Sequence, residues 1–215
     1  MPHLYRLDAH ASAIAAAAGA QIGRDVWEGG HPSPGQFAPV VTRAGRSGNR
    51  VIRPMHWGYP PPGWQPETAL LDGETPRWVS TVRNLESPFW IGNLRHSELR
   101  CLIPATGFPV WSAAPDPQTG KKKLHWFALP SQSVFAIAGI WRDLTDMPVF
   151  AMLTTKPNAA IAAIAAINQK AAMPVILGAD DYFAWLSDDW KEAQNLVQPY
   201  AGRVESTASM GNGIS

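Results

Sequence analysis

The residue best placed to do unusual chemistry stands at the very start of the chain. Met1 is followed by Pro2, and removal of the methionine leaves a secondary amine. An α-amino group has an ordinary pKa of about 8, so an appreciable minority is neutral at pH 7 and able to condense with an aldehyde. The same position is also what an inert, frayed terminus looks like. A second grouping lies between Glu28 and Glu67, where no acid occurs but Arg43, Arg46, Arg50 and Arg53 do, together with His31, His56, Trp57, Tyr59 and Trp64. Cations interleaved with rings suit a single-strand groove, with charge on phosphates and rings under bases. They suit a solvated face equally well. The one cysteine, Cys101, sits in the apolar run "CLIP" and reads as a small buried hydrophobe rather than a nucleophile.

Composition limits what can surround these groups. With 46% hydrophobic and 16% charged residues the 215-residue chain is not a disordered one, and it is long enough to bury a core without a metal or disulfide staple. A single cysteine excludes an internal disulfide and a cysteine-based zinc site. The net charge of +1 supplies no global field for nucleic acid, so such binding has to come from a local groove. No signal-peptide pattern and no long apolar run is present. These features predict a cytoplasmic protein, monomeric, with no membrane association, no metal and no cofactor. Glycine spacing matches no phosphate-cradling loop, and there is no G-x-S-x-G elbow or ligand-spaced histidine pair.

The elements that must position the chemistry follow from periodicity. "AHASAIAAAAGA" over 9–20 predicts a helix ended by Gly19. "FAPVVTR" and "RVIRPMHWGY" predict strands, and "YPPPGWQP" a loop. "RCLIPATGFPVWS" predicts two strands broken at Pro104 and Gly107. "KKKLHWFALP", "SVFAIAGIWRDL" and "MPVFAMLTTK" predict three more. Ile161, Ile164 and Ile167 fall on one helical stripe, "MPVIL" returns to strand, and "ADDYFAWLSDDWKEAQNL" predicts one or two short helices. Many strands with few helices predict a single α+β domain over 1–204 around a curved or barrel-like, mainly antiparallel sheet, with a mobile tail at 205–215. Trp90, Trp111 and Trp141 are assigned to its core.

Six segments in order, "MHWGYPPPGW", "TVRNLESPFW", "RCLIPATGFPVW", "FAIAGIW", "FAMLTTKPNA" and "AMPVIL", after an opening "LYRL", resemble the SOS-response-associated peptidase (SRAP) family. Its members shield abasic sites in single-stranded DNA. The resemblance implies an N-terminal cysteine whose amine and thiol close a stable thiazolidine on the sugar aldehyde, helped by an Asn, a Glu and a His. At those positions this chain carries Pro2, Thr81, Val110 and, with Lys170 and Gln169 as alternatives in an uncertain register, Asn168. Pro2 has no thiol and Val110 cannot transfer a proton, so the thiazolidine is chemically unavailable. The DNA-binding positions are better kept: Arg83 on phosphate, Asn84 beside it, Trp57 and Pro61 as a wedge near the lesion, and Arg53 on the basic stretch.

Three readings follow. The first is a family member that binds single-stranded DNA, including strands with abasic sites, without the covalent crosslink. The second is an enzyme of altered chemistry in which Pro2 forms an iminium with the abasic aldehyde, leading to lyase cleavage. The third is a degenerate scaffold that binds a protein partner.

Overall fold

In the computed structural model, residues 4–23, 27–45, 48–63, 77–144, 147–165 and 171–207 are described. Five strands close on themselves. Strand β2 (Phe37–Ala44) pairs antiparallel with β3 (Asn49–Trp57), in register from Phe37 opposite His56 to Ala44 opposite Asn49. On its other edge β2 meets β5 (Arg100–Ala105), which pairs with β8 (Phe135–Leu144), and β8 pairs with β9 (Met147–Thr155). The ring shuts where β9 returns to β3 in parallel, His56 opposite Val149 and Trp57 opposite Phe150. Closure removes the unpaired edges an open sheet would present. Short strands decorate the outside: β1 (Ala20–Gln21) on β3 and β4 (Thr81–Val82) on β9.

The apolar patterning explains which strands lie innermost. All six residues of β5 are buried, as are the first six of β8. One face of each fills the barrel while the other is covered, so the sequence there reads as a continuous apolar run rather than an alternation. Gly139 in β8 sits where β5 and β8 pack tightly together. A Cβ there would meet Ile103 Cδ1 at 2.7 Å and Cys101 Sγ at 2.8 Å.

Helix α1 (Ala11–Ala18) buries Ile14 and Ala18 and ends at Gly19, whose φ of 58° lets its N–H turn back on Ala15 and Ala16. The short α2 (Ile91–Arg95) carries Asn93, which donates to Tyr59 Oη and the Trp141 carbonyl. Helix α3 (Ala159–Ala165) buries Ile161 and half-buries Ile164; Ile167 lies outside the described residues. The late amphipathic segment forms α4 (Asp181–Ser187) and α5 (Trp190–Ala193). Among the described residues no helix is long and apolar enough to cross a membrane.

A second sheet of β6 (Phe108–Pro115), β7 (Lys122–Ala128) and β12 (Glu205–Thr207), with β7 in the middle, stands against the barrel. Its seam with the rest is the N-terminal segment: Arg6 bridges antiparallel to Gly107, and Leu7 to Gly30. Three expectations change. Pro104 lies inside β5 opposite Ala136, and the chain reverses at Thr106–Gly107, whose N–H groups both donate to the Arg6 carbonyl. "MPVIL" splits into β10 (Met173–Pro174) on β9 and β11 (Ile176–Leu177) on β8. Glu205–Thr207, expected to open a mobile tail, pair with Ala128–Trp126 of β7.

Trp57 lies at the barrel closure with no exposed surface, its ring stacked on Phe150 at 6.1 Å and met edge-on by Tyr5 at 5.2 Å. Trp57→Ala should destabilise the fold by about 3–5 kcal/mol, the usual range for emptying a large core site, whereas Trp57→Phe should keep a cooperative urea transition. A Trp57→Ala midpoint equal to wild type would refute this placement.

Its neighbour His56 is buried between Phe37 and Trp78, and burial holds its imidazole below the ordinary 6.5 despite a contact with the Gly58 carbonyl. The unfolded chain therefore takes up this proton first. Stability from this group is complete above pH 6.5 and falls as pH drops below it. In urea titrations at pH 7.5 and 5.5, His56→Gln should lose less stability on acidification than wild type. An equal loss would assign the acid sensitivity elsewhere.

Candidate nucleic-acid interface

The site is built around β4. Two residues suffice to hold that strand because three hydrogen bonds pin it and its flank. Ser80 O accepts from Met152 N at 3.0 Å and from Trp57 Nε1 at 2.9 Å, and Thr154 Oγ1 donates to Val82 O at 3.2 Å. Alternation then leaves Thr81 half-buried, Val82 fully buried and Arg83 exposed. The Arg83 guanidinium reaches the Ala171 carbonyl at 3.5 Å, where the chain returns from residues 166–170. Asn84 is exposed and closes a local turn, its Oδ1 accepting from Glu86 N at 3.1 Å.

The N-terminal segment arrives on the other side of Trp57. Tyr5 is fully buried, and burial drives its phenol far above the ordinary range. Arg6 lays its guanidinium over Trp126 at 4.5 Å. Trp57 is thus the shared neighbour of the N-terminal segment, through Tyr5, and of β4, through the Ser80 carbonyl. Pro2 and Asn168 lie outside the described residues, as does Trp64.

On β6, Val110 is 7% exposed and stands directly opposite His125 of β7. Directly opposed residues in an antiparallel pair share a face, and the stacked Phe108–Phe127 pair at 5.9 Å marks the same face one step back. Trp111 points to the other face and is 50% exposed. It was expected in the core, as Trp90 and Trp141 were; those two do pack inward, whereas alternation on β6 turns Trp111 outward. The adjoining hairpin carries exposed Lys121, Lys122 and Lys123. Asp116 pairs with Lys123 at 2.5 Å and accepts from Gln118 N and Thr119 N, which hold its carboxyl below the usual range.

Two expected contacts need correction. Trp57 cannot be a wedge in a strand, since its ring has no surface to offer; the demand for a large apolar group at the β3–β9 closure takes it. The basic stretch is not one groove. Arg50 donates to Ala18 O at the end of α1, Arg43 to Leu186 O at the end of α4, and Arg53 lies over Trp141 and near Asp143 of β8. Pro61 is half-exposed beyond the Tyr59–Val79 bridge. Cys101 is fully buried, and burial pushes its thiol up. Among the described residues no group of three or more His, Cys, Asp or Glu could hold a metal ion.

His125 and the exposed Trp111 went unremarked as site residues. Two-residue alternation places them relative to Val110 only once the register of the β6–β7 hairpin is known.

Solved structures show the same fold. A protein from Bordetella bronchiseptica is 20% identical with a TM-score of 0.73, covering 95% of this chain and 99% of its own. A Bacteroides thetaiotaomicron protein is 20% identical with the same TM-score, covering 96% and 92%. A phage-related protein from Bordetella bronchiseptica is 15% identical with a TM-score of 0.67, covering 96% and 94%. No curated protein matches the sequence. The family model described as SOS response associated peptidase (SRAP) matches residues 5–210, and with that span, the closed barrel and the ordered segments, the chain belongs to the SRAP family.

Proposed function

We propose that this SRAP protein binds single-stranded DNA, including strands with abasic sites, and does so without the family's stable thiazolidine crosslink. The observation that carries the reading is the contrast between lost chemistry and exposed contacts. Position 2 offers no sulfur, and Val110 is an apolar side chain where the resemblance places a carboxylate. Arg83 nevertheless stands exposed at the end of β4, and Trp111 presents half its surface on β6 beside the Lys121–Lys123 hairpin. A guanidinium suits a phosphate, and an outward indole suits a base face. Trp111 takes over the stacking role that the buried Trp57 cannot fill. Arg43, Arg50 and Arg53 are left out of the interface because they are half-buried with their guanidinium groups on carbonyls, a ring and a carboxylate, whereas Arg83, although it also reaches the Ala171 carbonyl, is exposed.

Fluorescence anisotropy of a labelled single-stranded oligonucleotide over a salt series tests this. Arg83→Ala should weaken binding and make the slope of log K against log salt shallower by about 0.7, one phosphate contact on single-stranded DNA. Trp111→Ala should weaken binding by about 1–3 kcal/mol, the usual worth of one stacked base, with little change in slope. Absence of binding at low salt would remove the reading and favour a scaffold for a protein partner.

A further inference from the structure

Strand alternation on the β6–β7 hairpin separates two faces. One carries Phe108, Val110 and Phe127 into the core, and the other bears its own arrangement of rings and cations. Trp111 lies opposite Leu124, so the two share this outer face, and Lys122 and Trp126 join them two residues to either side along β7. Trp111 is half-exposed and Lys122 exposed, whereas Trp126 is buried. Two groups from outside the sheet lie against Trp126: the Arg6 guanidinium at 4.5 Å from its ring centroid, and the exposed His31 ring at 5.5 Å, tilted by 57°. Lys122, the Trp111–Leu124 pair and Trp126 follow one another at steps of about 7 Å, close to the step of an extended nucleotide strand. Negative charge around this face is already matched. Strands β6, β7 and β12 contain one acid, Glu205, which pairs with Arg203 at 2.7 Å; Asp8 pairs with Arg6 at 3.4 Å and Asp116 with Lys123.

We propose that this outer face is a contact surface for undamaged single-stranded DNA, with one base stacked on Trp111, a neighbouring base on His31, and a phosphate against the Lys122 ammonium. The inference rests on the reading that the protein binds single strands, and it adds a place for intact nucleotides apart from the Val110 face. A ring accepts any base because every base has a π-face, and an ammonium accepts any phosphate, so the contact is indifferent to sequence. Arg6, held between Asp8 and the Trp126 ring, covers that indole and leaves His31 and Trp111 as the rings open to solvent. Charge complementarity selects the occupant. Lysine beside exposed rings suits a polyanion with flat apolar groups; a duplex hides those groups within its own stack, and an acidic peptide has none.

Anisotropy of a labelled oligothymidylate without abasic sites, measured over a salt series, tests the proposal. His31→Ala should weaken binding by roughly 5-fold or more, the lower end of the worth of one stacked base. His31→Phe should keep the wild-type affinity, since the base meets a ring and not a charge. Lys122→Ala should make the slope of log K against log salt shallower by about 0.7, whereas Lys123→Ala, on the other face, should leave it unchanged. Wild-type affinity and slope in both His31→Ala and Lys122→Ala overturn the inference. So does a loss that persists in His31→Phe, an equal change of slope from Lys123→Ala, or displacement of the strand by polyglutamate as readily as by unlabelled strand. If wild-type protein binds and Arg83→Ala weakens it while the His31 and Lys122 variants bind like wild type, the inference falls and the binding reading stands. If wild-type protein binds no single strand, both fall.

Discussion

The structure depends on the parallel closure of β3 onto β9, and that closure depends on Trp57. Its ring stacks on Phe150 across the seam, its Nε1–H satisfies the Ser80 carbonyl, and Tyr5 packs edge-on against it. One indole therefore shuts the barrel, fixes the strand β4 that leads into Arg83, and seats the N-terminal segment at Tyr5. A buried aromatic whose polar handle is paired suits such a junction, because burial and hydrogen bonding act on the same group. The candidate interface is the surface expression of this packing. A substitution that loosens Trp57 disturbs the site before any contact with DNA is considered.

Arginines do a different structural job from the one their clustering suggests. The last carbonyls of a helix lack partners within it and carry partial negative charge. Arg50 meets the end of α1, Arg43 the end of α4, and Arg100 the Asp188 carbonyl just beyond α4. Arg100 is almost fully buried, its ring neighbour is Trp185, and burial lowers its guanidinium to about 10 against the opposing pull of Asp188, Asp189 and Glu98. It stays charged at neutral pH and fastens α4 to β5. The helices are thus clamped to the barrel by cations rising from its strands. The proposed interface draws instead on exposed cations, Arg83 just after the barrel-edge strand β4 and the lysines of the β6–β7 hairpin.

Much of the fold was legible because the barrel strands are long and strongly patterned. β2, β3, β8 and β9 fall within a residue or two of their expected bounds, and Gly19 ends α1 by the left-handed turn its type favours. The two-residue strands β1, β4, β10 and β11 carry no periodicity of their own; tertiary pairing alone defines them. Pro104 misled because a proline in a strand reads as a break. The site was legible in part. The loss of thiol and carboxylate at Pro2 and Val110 is plain in the residue types. Whether Trp57 or Trp111 faces outward is decided by barrel closure and by β6 alternation, and the proximity of His125 to Val110 by a hairpin register spanning a bulge between Trp111 and Pro115.

The proposed interface would hold single-stranded DNA without a lasting bond. Mass spectrometry of the protein mixed with an abasic single-stranded oligonucleotide, with no reductant, addresses it directly when the sample is sprayed first from native buffer and then after acid denaturation. The native spectrum should show a complex that separates completely into free protein and free oligonucleotide on denaturation. A native spectrum without complex, or a protein–DNA species that survives denaturation, would contradict it.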